Sequence, residues 1–503
     1  MLQINRNSKK YLLPNLRLEK YKVTYFATLN NYLENIISEF SYHKFLKFSI
    51  FILNLLHKSG IKMNEINNSK KLYSKAKKYI AGGISSQIRV LEHSEVPLFI
   101  SNAKGSKIWD VDGNEYIDYI QGMGPNIFGH APDFLNENVS KEIKNGMIYA
   151  AQFDKEIEVA EKSLEILNVK DWTVRFASSG TEIDQLLIRL MRGYTNRQLF
   201  VKFEGHYHGW MDSINYSVHP DLELAGDSSS PEAIPESKGM DQNTKNSVII
   251  ARWNDIDHLK QIFEKYGNQI AGVLMEPILA NTNCIIPDDG YIQSVKKLCH
   301  DNGSLIAFDE VITGFRILKG SAKEYFDVTP DLSTFAKSFA GGFPIAMLAG
   351  KREIMNFIAD GTVYHGGSFN SNVASIAAAN ASLDHMIGDK NFFYNLEQKG
   401  QKLIHGINAL SKDLDIDIHA QGLGSVFSIS FTEKEHIRDW RDHFTNCDEN
   451  KYKSFCEIAF KKGIRLSSNG RVHLSTAHTE NDLEKTLEVF KHSLIELKQK
   501  LSR

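Results

Sequence analysis

Cysteine, net charge and long apolar runs are all scarce in this 503-residue chain. Its four cysteines, at 284, 299, 447 and 456, have neither the density of a secreted disulfide scaffold nor the C-x-x-C spacing of a zinc site. A reducing, cytoplasmic setting is the expectation. The formal charge of -2 leaves no overall basic field to draw nucleic acid or an anionic membrane surface. No run approaches the roughly 20 apolar residues of a bilayer span. The nearest, residues 45–56, carries Lys47 inside it and lies in a basic N-terminal stretch, residues 1–62, with 10 Lys/Arg against 3 acidic residues. That stretch reads as an added helix, a surface-binding amphipathic segment or sequence upstream of a working start at Met63. No stable membrane insertion is expected.

What is present is an ordinary globular composition, 42% hydrophobic and 24% charged, long enough for a large domain and a smaller one. The pattern predicts a short helix over 70–80 that stops at Ala81-Gly82-Gly83. Alternating residues on either side of Asp112-Gly113-Asn114 predict a hairpin. Between about 140 and 350, short apolar runs at 174–176, 199–202, 271–275 and 305–308 alternate with helical periodicity. This is the signature of an α/β domain with a mostly parallel sheet. The rest reads as a smaller α+β domain, closed by Leu483, Leu487, Phe490, Leu494 and Leu497 at helical spacing behind a Thr479-x-x-Asp482 cap.

Ligands of open α/β sheets sit beyond the carboxyl ends of the strands, and polar residues collect at three such ends. After Val174-Arg-Phe-Ala come Ser178, Ser179, Gly180 and Thr181, then a helix over 186–192. Free N–H groups, small hydroxyls and a glycine form an anion cradle, although Ser and Thr also serve as plain helix caps. The strand over 304–308 delivers Asp309 and Glu310, and an unpaired buried carboxylate there demands a cation. A loop-capping aspartate is the alternative. Lys337 lies between an apolar segment and Gly341-Gly342. Desolvation there would turn its amine into a nucleophile, whereas most lysines are simply solvated.

These pieces, with the strings WDVDGNEYIDY, RFASSGTE, KFEGHYHG, DEVITGFR, FAKSFAGGFP and HTENDL in register from about Lys70 to Leu494, resemble the class III aminotransferase family of fold-type-I pyridoxal-phosphate enzymes. Within it they are similar to glutamate-1-semialdehyde 2,1-aminomutase and its aminotransferase relatives. The resemblance implies a seven-stranded-type, mostly parallel sheet in a large cofactor-binding domain, residues 140–390. A small α+β domain would combine residues 63–139 with 391–503. It further implies pyridoxal 5'-phosphate bonded to Lys337, with Asp309 at the pyridine nitrogen and Ser179, Gly180 and Thr181 at the phosphate. Tyr207 and Val311 would face the two sides of the ring and Asn281 its hydroxyl. Ser368 would reach the phosphate of a neighbouring subunit, which implies a homodimer. Ser86 and Arg89 match the stretch that binds a substrate carboxylate. His206 and His208 lack a third ligand at metal spacing, so no metal is expected. Met123 stands where the aminomutase has a tryptophan, and residues 218–240 lack its glycine-serine gating loop. Transamination between an amino donor and a keto or aldehyde acceptor is therefore the first expectation. Intramolecular amino transfer is the second, and a non-catalytic scaffold is the rival from another class.

Overall fold

In the computed structural model the chain divides into two units, Met1–Met63 and Asn64–Arg503. Residues 66–89 and 94–502 are described; the apolar run of 45–56 and the start at Met63 lie outside them. The centre of the second unit is a seven-stranded sheet in the order Trp172–Ala177, Ala346–Lys351, Leu332–Phe335, Leu305–Asp309, Ile270–Met275, Leu199–Phe203 and Val248–Ala251. Four strands lie where the apolar runs place them. Every residue of Ile270–Met275, Leu305–Asp309 and Leu332–Phe335 is buried. Helices cover both faces of such strands, which is why they read as unbroken apolar runs instead of alternating ones. All pairings are parallel except those of Ala346–Lys351, which runs against both neighbours. Six strands therefore deliver their carboxyl ends to one edge of the sheet.

The hairpin around Gly113 forms from Lys107–Asp110 and Glu115–Asp118. Its second strand then pairs in parallel with Ile464–Arg465, joining N- and C-terminal parts of the chain in one sheet. The first helix spans Asn67–Ala76, starting and ending earlier than its periodicity predicts. The cause is distant in sequence. Asp112 of the hairpin turn accepts from the N–H groups of Asn68 (2.7 Å) and Ser69 (3.0 Å) and from the Ser69 hydroxyl (2.6 Å), so a carboxylate fixes the positive end of the helix. The last helix, Glu480–Leu501, carries the expected Thr479–Asp482 capping box and buries Leu483, Phe490, Leu494 and Leu497.

One contact in the smaller region is unusually tight. Helix Phe392–Leu414 rests backbone to backbone on the turn between strands Ile418–Leu423 and Val426–Phe431. A Cβ added at Gly400 would lie 1.5 Å from the Gly424 carbonyl oxygen, and the neighbouring Glu397 carboxylate already accepts from the Gly424 N–H at 2.8 Å. The main chain has nowhere to yield without breaking that bond. Gly400→Ala is expected to cost about 3 kcal/mol or more, at the upper end for overpacking, and denaturant unfolding monitored by circular dichroism measures it.

Candidate active site

The edge where the strands end opens into a cavity of about 290 Å3. Lys337, Asp309, Ser179, Gly180, Thr181, Tyr207, Val311 and Asn281 all line it, although they come from five separate segments. Ser179 caps helix Gly180–Thr195 by accepting from the Glu182 N–H at 3.3 Å, and the Ser178 N–H is taken by the Glu182 carboxylate at 2.8 Å. The first N–H groups of the helix, at Gly180 and Thr181, have no carbonyl within the helix to bind and form its positive end beside the cavity. A Cβ at Gly180 would press on both Val311 methyls at 3.3 Å, so the absent side chain keeps floor and cradle together.

Asp309 closes strand Leu305–Asp309 and is 5% exposed. Its Oδ1 accepts from the Val311 N–H at 2.9 Å, and its Oδ2 lies 2.7 Å from His208 Nδ1. Burial holds His208 neutral, well below the usual imidazole range; with the carboxylate as acceptor, the ring carries its proton on Nδ1 and donates it. Burial pushes the Asp309 carboxyl up to about 6. Asp184, on the first helical turns and wholly buried, lies against it and accepts from Thr334 Oγ1 at 2.6 Å. Burial and the charge of Asp309 push Asp184 far above the carboxylate range. The pair therefore keeps one proton on Asp184 and the anion on Asp309.

Lys337 follows strand Leu332–Phe335 with φ +46°, a left-handed conformation that costs a residue with a side chain about 1–3 kcal/mol and survives only where its surroundings impose it. Burial, then the nearby Arg471 guanidinium, lowers its ammonium to about 7. A large share of the amine is thus neutral, and nucleophilic, near neutral pH.

Glu276, 3% exposed, knits the opposite wall. It accepts from the Tyr207 N–H (2.8 Å), the Asn281 amide (2.8 Å) and N–H (3.1 Å) and the Ala280 N–H (3.0 Å). His206 Nδ1 in turn accepts from the Glu276 N–H at 3.0 Å. The two histidines are thus committed to Glu276 and Asp309 respectively. Among the described residues no group of His, Cys, Asp and Glu has the make-up of a metal site.

Residues 90–494 match the model of the aminotransferase class-III family. The chain belongs to the class III aminotransferases. Glutamate-1-semialdehyde 2,1-aminomutase of Methanosphaera stadtmanae is 36% identical over 436 residues, 86% of this chain and 99% of that protein. The protein of the same name from Sulfurihydrogenibium azorense is 37% identical over 427 residues, 84% of this chain and 97% of its own. An omega-transaminase from Sphaerobacter thermophilus superposes with a TM-score of 0.80 at 26% identity, over 86% of this chain and 98% of that one. A glutamate-1-semialdehyde-aminomutase from Pseudomonas aeruginosa, at 19% identity and a TM-score of 0.77 over 86% and 94% of the two chains, shares the fold. The protein is an enzyme of the fold-type-I class that uses pyridoxal phosphate, not a scaffold.

The cavity of this class III enzyme suits that cofactor. An anion cradle, a buried carboxylate and a half-buried lysine amine of lowered pKa face one space, which matches a phosphate, a pyridine nitrogen and an aldehyde. Three residues expected from sequence do not line this cavity, and for Ser368, expected at a neighbouring subunit's phosphate, none of these observations bears on that expectation. Ser86 and Arg89 sit on a short turn outside the cavity lining, with Arg89 exposed. Ser368 is also exposed and lines a separate surface hollow beside Ser178 and Glu182. Three residues at or beside the site, Asp184, Glu276 and Arg471, were not singled out from sequence, nor was the link from His208 to Asp309. Arg471 is 4% exposed and donates to the Ala280 carbonyl (3.2 Å) and Asn281 Oδ1 (2.5 Å); its Nε has no hydrogen-bond partner among the described residues. A lone arginine in a Ser-Asn-Gly-Arg turn carries no local signal of this placement.

Proposed function

We propose that the enzyme transaminates: it takes the amino group of a carboxylate-bearing donor and passes it to a separate keto or aldehyde acceptor. Bound in the cavity, pyridoxal phosphate supplies an electron sink for breaking a bond at the amine-bearing carbon. Ser179, Gly180 and Thr181 hold its phosphate, Tyr207 and Val311 flank its ring, and Asn281 faces its hydroxyl. Asp309 keeps a proton on the pyridine nitrogen. Lys337 would hold the cofactor through its Nζ, and as a free amine that Nζ would carry the proton to and from the donor carbon. For the donor carboxylate, Arg471 is proposed over Arg89, because its buried guanidinium bonds Asn281 of the cavity wall. Exposed Ser368 is proposed to serve the phosphate site of a second copy in a homodimer, and the four free thiols suit a reducing cytoplasm. Among the described residues no helix is long and apolar enough to cross a membrane.

The observation that carries the choice of intermolecular transfer is how the segment over 218–240, where the aminomutase gate would lie, is held. It is strapped down. Ser217 N–H donates to Ile234 O at 2.7 Å, Trp440 Nε1 to Pro220 O at 2.9 Å, and Arg441 to Ala225 O (3.2 Å) and Gly226 O (3.0 Å) while it pairs with Glu204. A segment so held is poorly suited to retain and release an intermediate. The second reading, intramolecular amino transfer, rests on the relatives at 36–37% identity named as glutamate-1-semialdehyde 2,1-aminomutases. The test incubates holoenzyme with amino acids and no acceptor. A transaminase releases one equivalent of oxo acid and leaves the cofactor in its amine form, and Arg471→Lys raises KM for amino-acid donors about tenfold while sparing their decarboxylated amines. Conversion of glutamate-1-semialdehyde to its amino isomer with no oxo acid released from other donors would overturn the choice.

The lowered Lys337 ammonium sets a pH dependence. Only the neutral amine attacks an aldehyde, and its fraction grows as pH rises. Uptake of pyridoxal phosphate by cofactor-free protein is therefore expected to accelerate through about pH 7 and level off above it, instead of near the ordinary lysine value of 10.5. Stopped-flow absorbance at a series of pH values reads this directly.

A further inference from the structure

We propose that a second cavity, of about 220 Å3, is a compartment of the substrate site that takes the uncharged aromatic part of the amino donor. The inference rests on the transamination reading and adds a substrate class to it. Asn281 lines both cavities, so the two spaces share one residue of their walls. Gly470 lines the second cavity and Arg471, the next residue, is the one that binds Asn281. A donor spanning the junction would have its amine in the first cavity, its carboxylate beside the guanidinium and its side chain in the second.

The lining selects the side chain. Trp440 stands between two imidazoles, with ring centroids 5.3 Å from His219 and 5.6 Å from His443. Phe431 and Tyr452 complete an aromatic wall. Burial pushes His443 down to about 4, so this imidazole is no cation at neutral pH and offers an acidic side chain no counter-charge. At the rim, exposed Asp448 and Glu449 outnumber Lys453 and disfavour a second carboxylate further. Offset and edge-on ring contacts reward a planar aromatic group instead. His443 Nδ1 is buried without a hydrogen-bond partner among the described residues, a position for a ring substituent to bond. Cavities of about 150 Å3 hold benzene, so a phenyl or phenol ring fits and a much larger system does not.

Two measurements decide it. In the first, holoenzyme is mixed with L-phenylalanine or L-alanine and conversion of the cofactor is followed by absorbance. Cys447→Phe, which grows a ring into the cavity from its wall, is expected to lower the phenylalanine-to-alanine rate ratio at least about tenfold. The second uses the wild-type protein and no turnover. 3-Phenylpropanoate, which has no amine to react, is expected to shield His443 from diethyl pyrocarbonate more than histidines elsewhere, as read by peptide mass spectrometry. An unchanged ratio in a folded variant, or no selective shielding of His443, overturns the proposal while leaving transamination of small donors standing. If neither donor converts the cofactor, the transamination reading itself fails and the donor assignment of the cavity falls with it.

Discussion

Lys337→Ala is expected to lower turnover by at least about a thousandfold, the upper range for one positioned proton-transfer group, and to leave no cofactor bonded to the protein after borohydride reduction. The other lysine to consider is Lys202, whose ammonium is likewise lowered to about 7 by burial. It cannot stand in. Its Nζ is wholly buried beneath the site and donates to the His206 carbonyl at 2.9 Å and to the Tyr216 carbonyl, which fixes it in the frame of the Tyr207 loop. Lys337 instead lines the cavity, held there by a left-handed backbone that alanine would also have to adopt. The substitution therefore removes the amine without relieving the strain, and the fold is expected to persist with the cofactor bound only by its noncovalent contacts. Peptide mass spectrometry of the reduced wild-type protein is the direct check. A cofactor mass on any peptide other than the one holding Lys337, or a variant that keeps more than a few per cent of its turnover, would sink the assignment.

How far the sequence carried this picture depends on the range over which each feature is determined. Strands buried on both faces announce themselves as apolar runs, so the centre of the sheet was readable without coordinates. Val248–Ala251 is only four residues long, and Ala346–Lys351 is rich in Ala and Gly, so neither stands out from its surroundings. The antiparallel insertion at Ala346–Lys351 follows from pairing on both sides, which no local pattern records. The cavity-lining residues were legible because they follow the strand ends in short polar clusters. Their supporting partners were not. His208 bonds a residue 101 positions away and Asp184 receives a bond from one 150 positions away, so each looks alone like a plain loop histidine or a helix aspartate. Arg89 shows the reverse: motif likeness points to a carboxylate site, whereas its turn places it outside the cavity and the buried guanidinium by Asn281 belongs to Arg471.

The Asp184–Asp309 pair gives the second large effect an unusual pH dependence. Asp309→Asn removes the anion proposed to hold the pyridine nitrogen protonated, and half-reaction rates near pH 6–7 are expected to fall at least about a hundredfold, the size of losing one fixed electrostatic group. The amide would also present an N–H, in one of its two orientations, to His208 Nδ1, which donates in the wild type, so the ring must change tautomer or the amide must turn its oxygen there. Losing the anion has a further consequence at Asp184. Its carboxyl is held protonated by burial and by the charge of Asp309; with that charge gone only burial remains, and its pKa falls. Below the new value Asp184 stays neutral and the cavity floor has no anion. Above it Asp184 ionises and supplies part of what Asp309 lost. Rates of the single variant are therefore expected to recover partly as pH rises, whereas the Asp309→Asn/Asp184→Asn double variant stays flat and low. Absorbance-monitored half-reactions from pH 5.5 to 9 distinguish the two. Near-normal rates for Asp309→Asn at every pH would remove Asp309 from the nitrogen, and an equal recovery in the double variant would remove Asp184 from the pair.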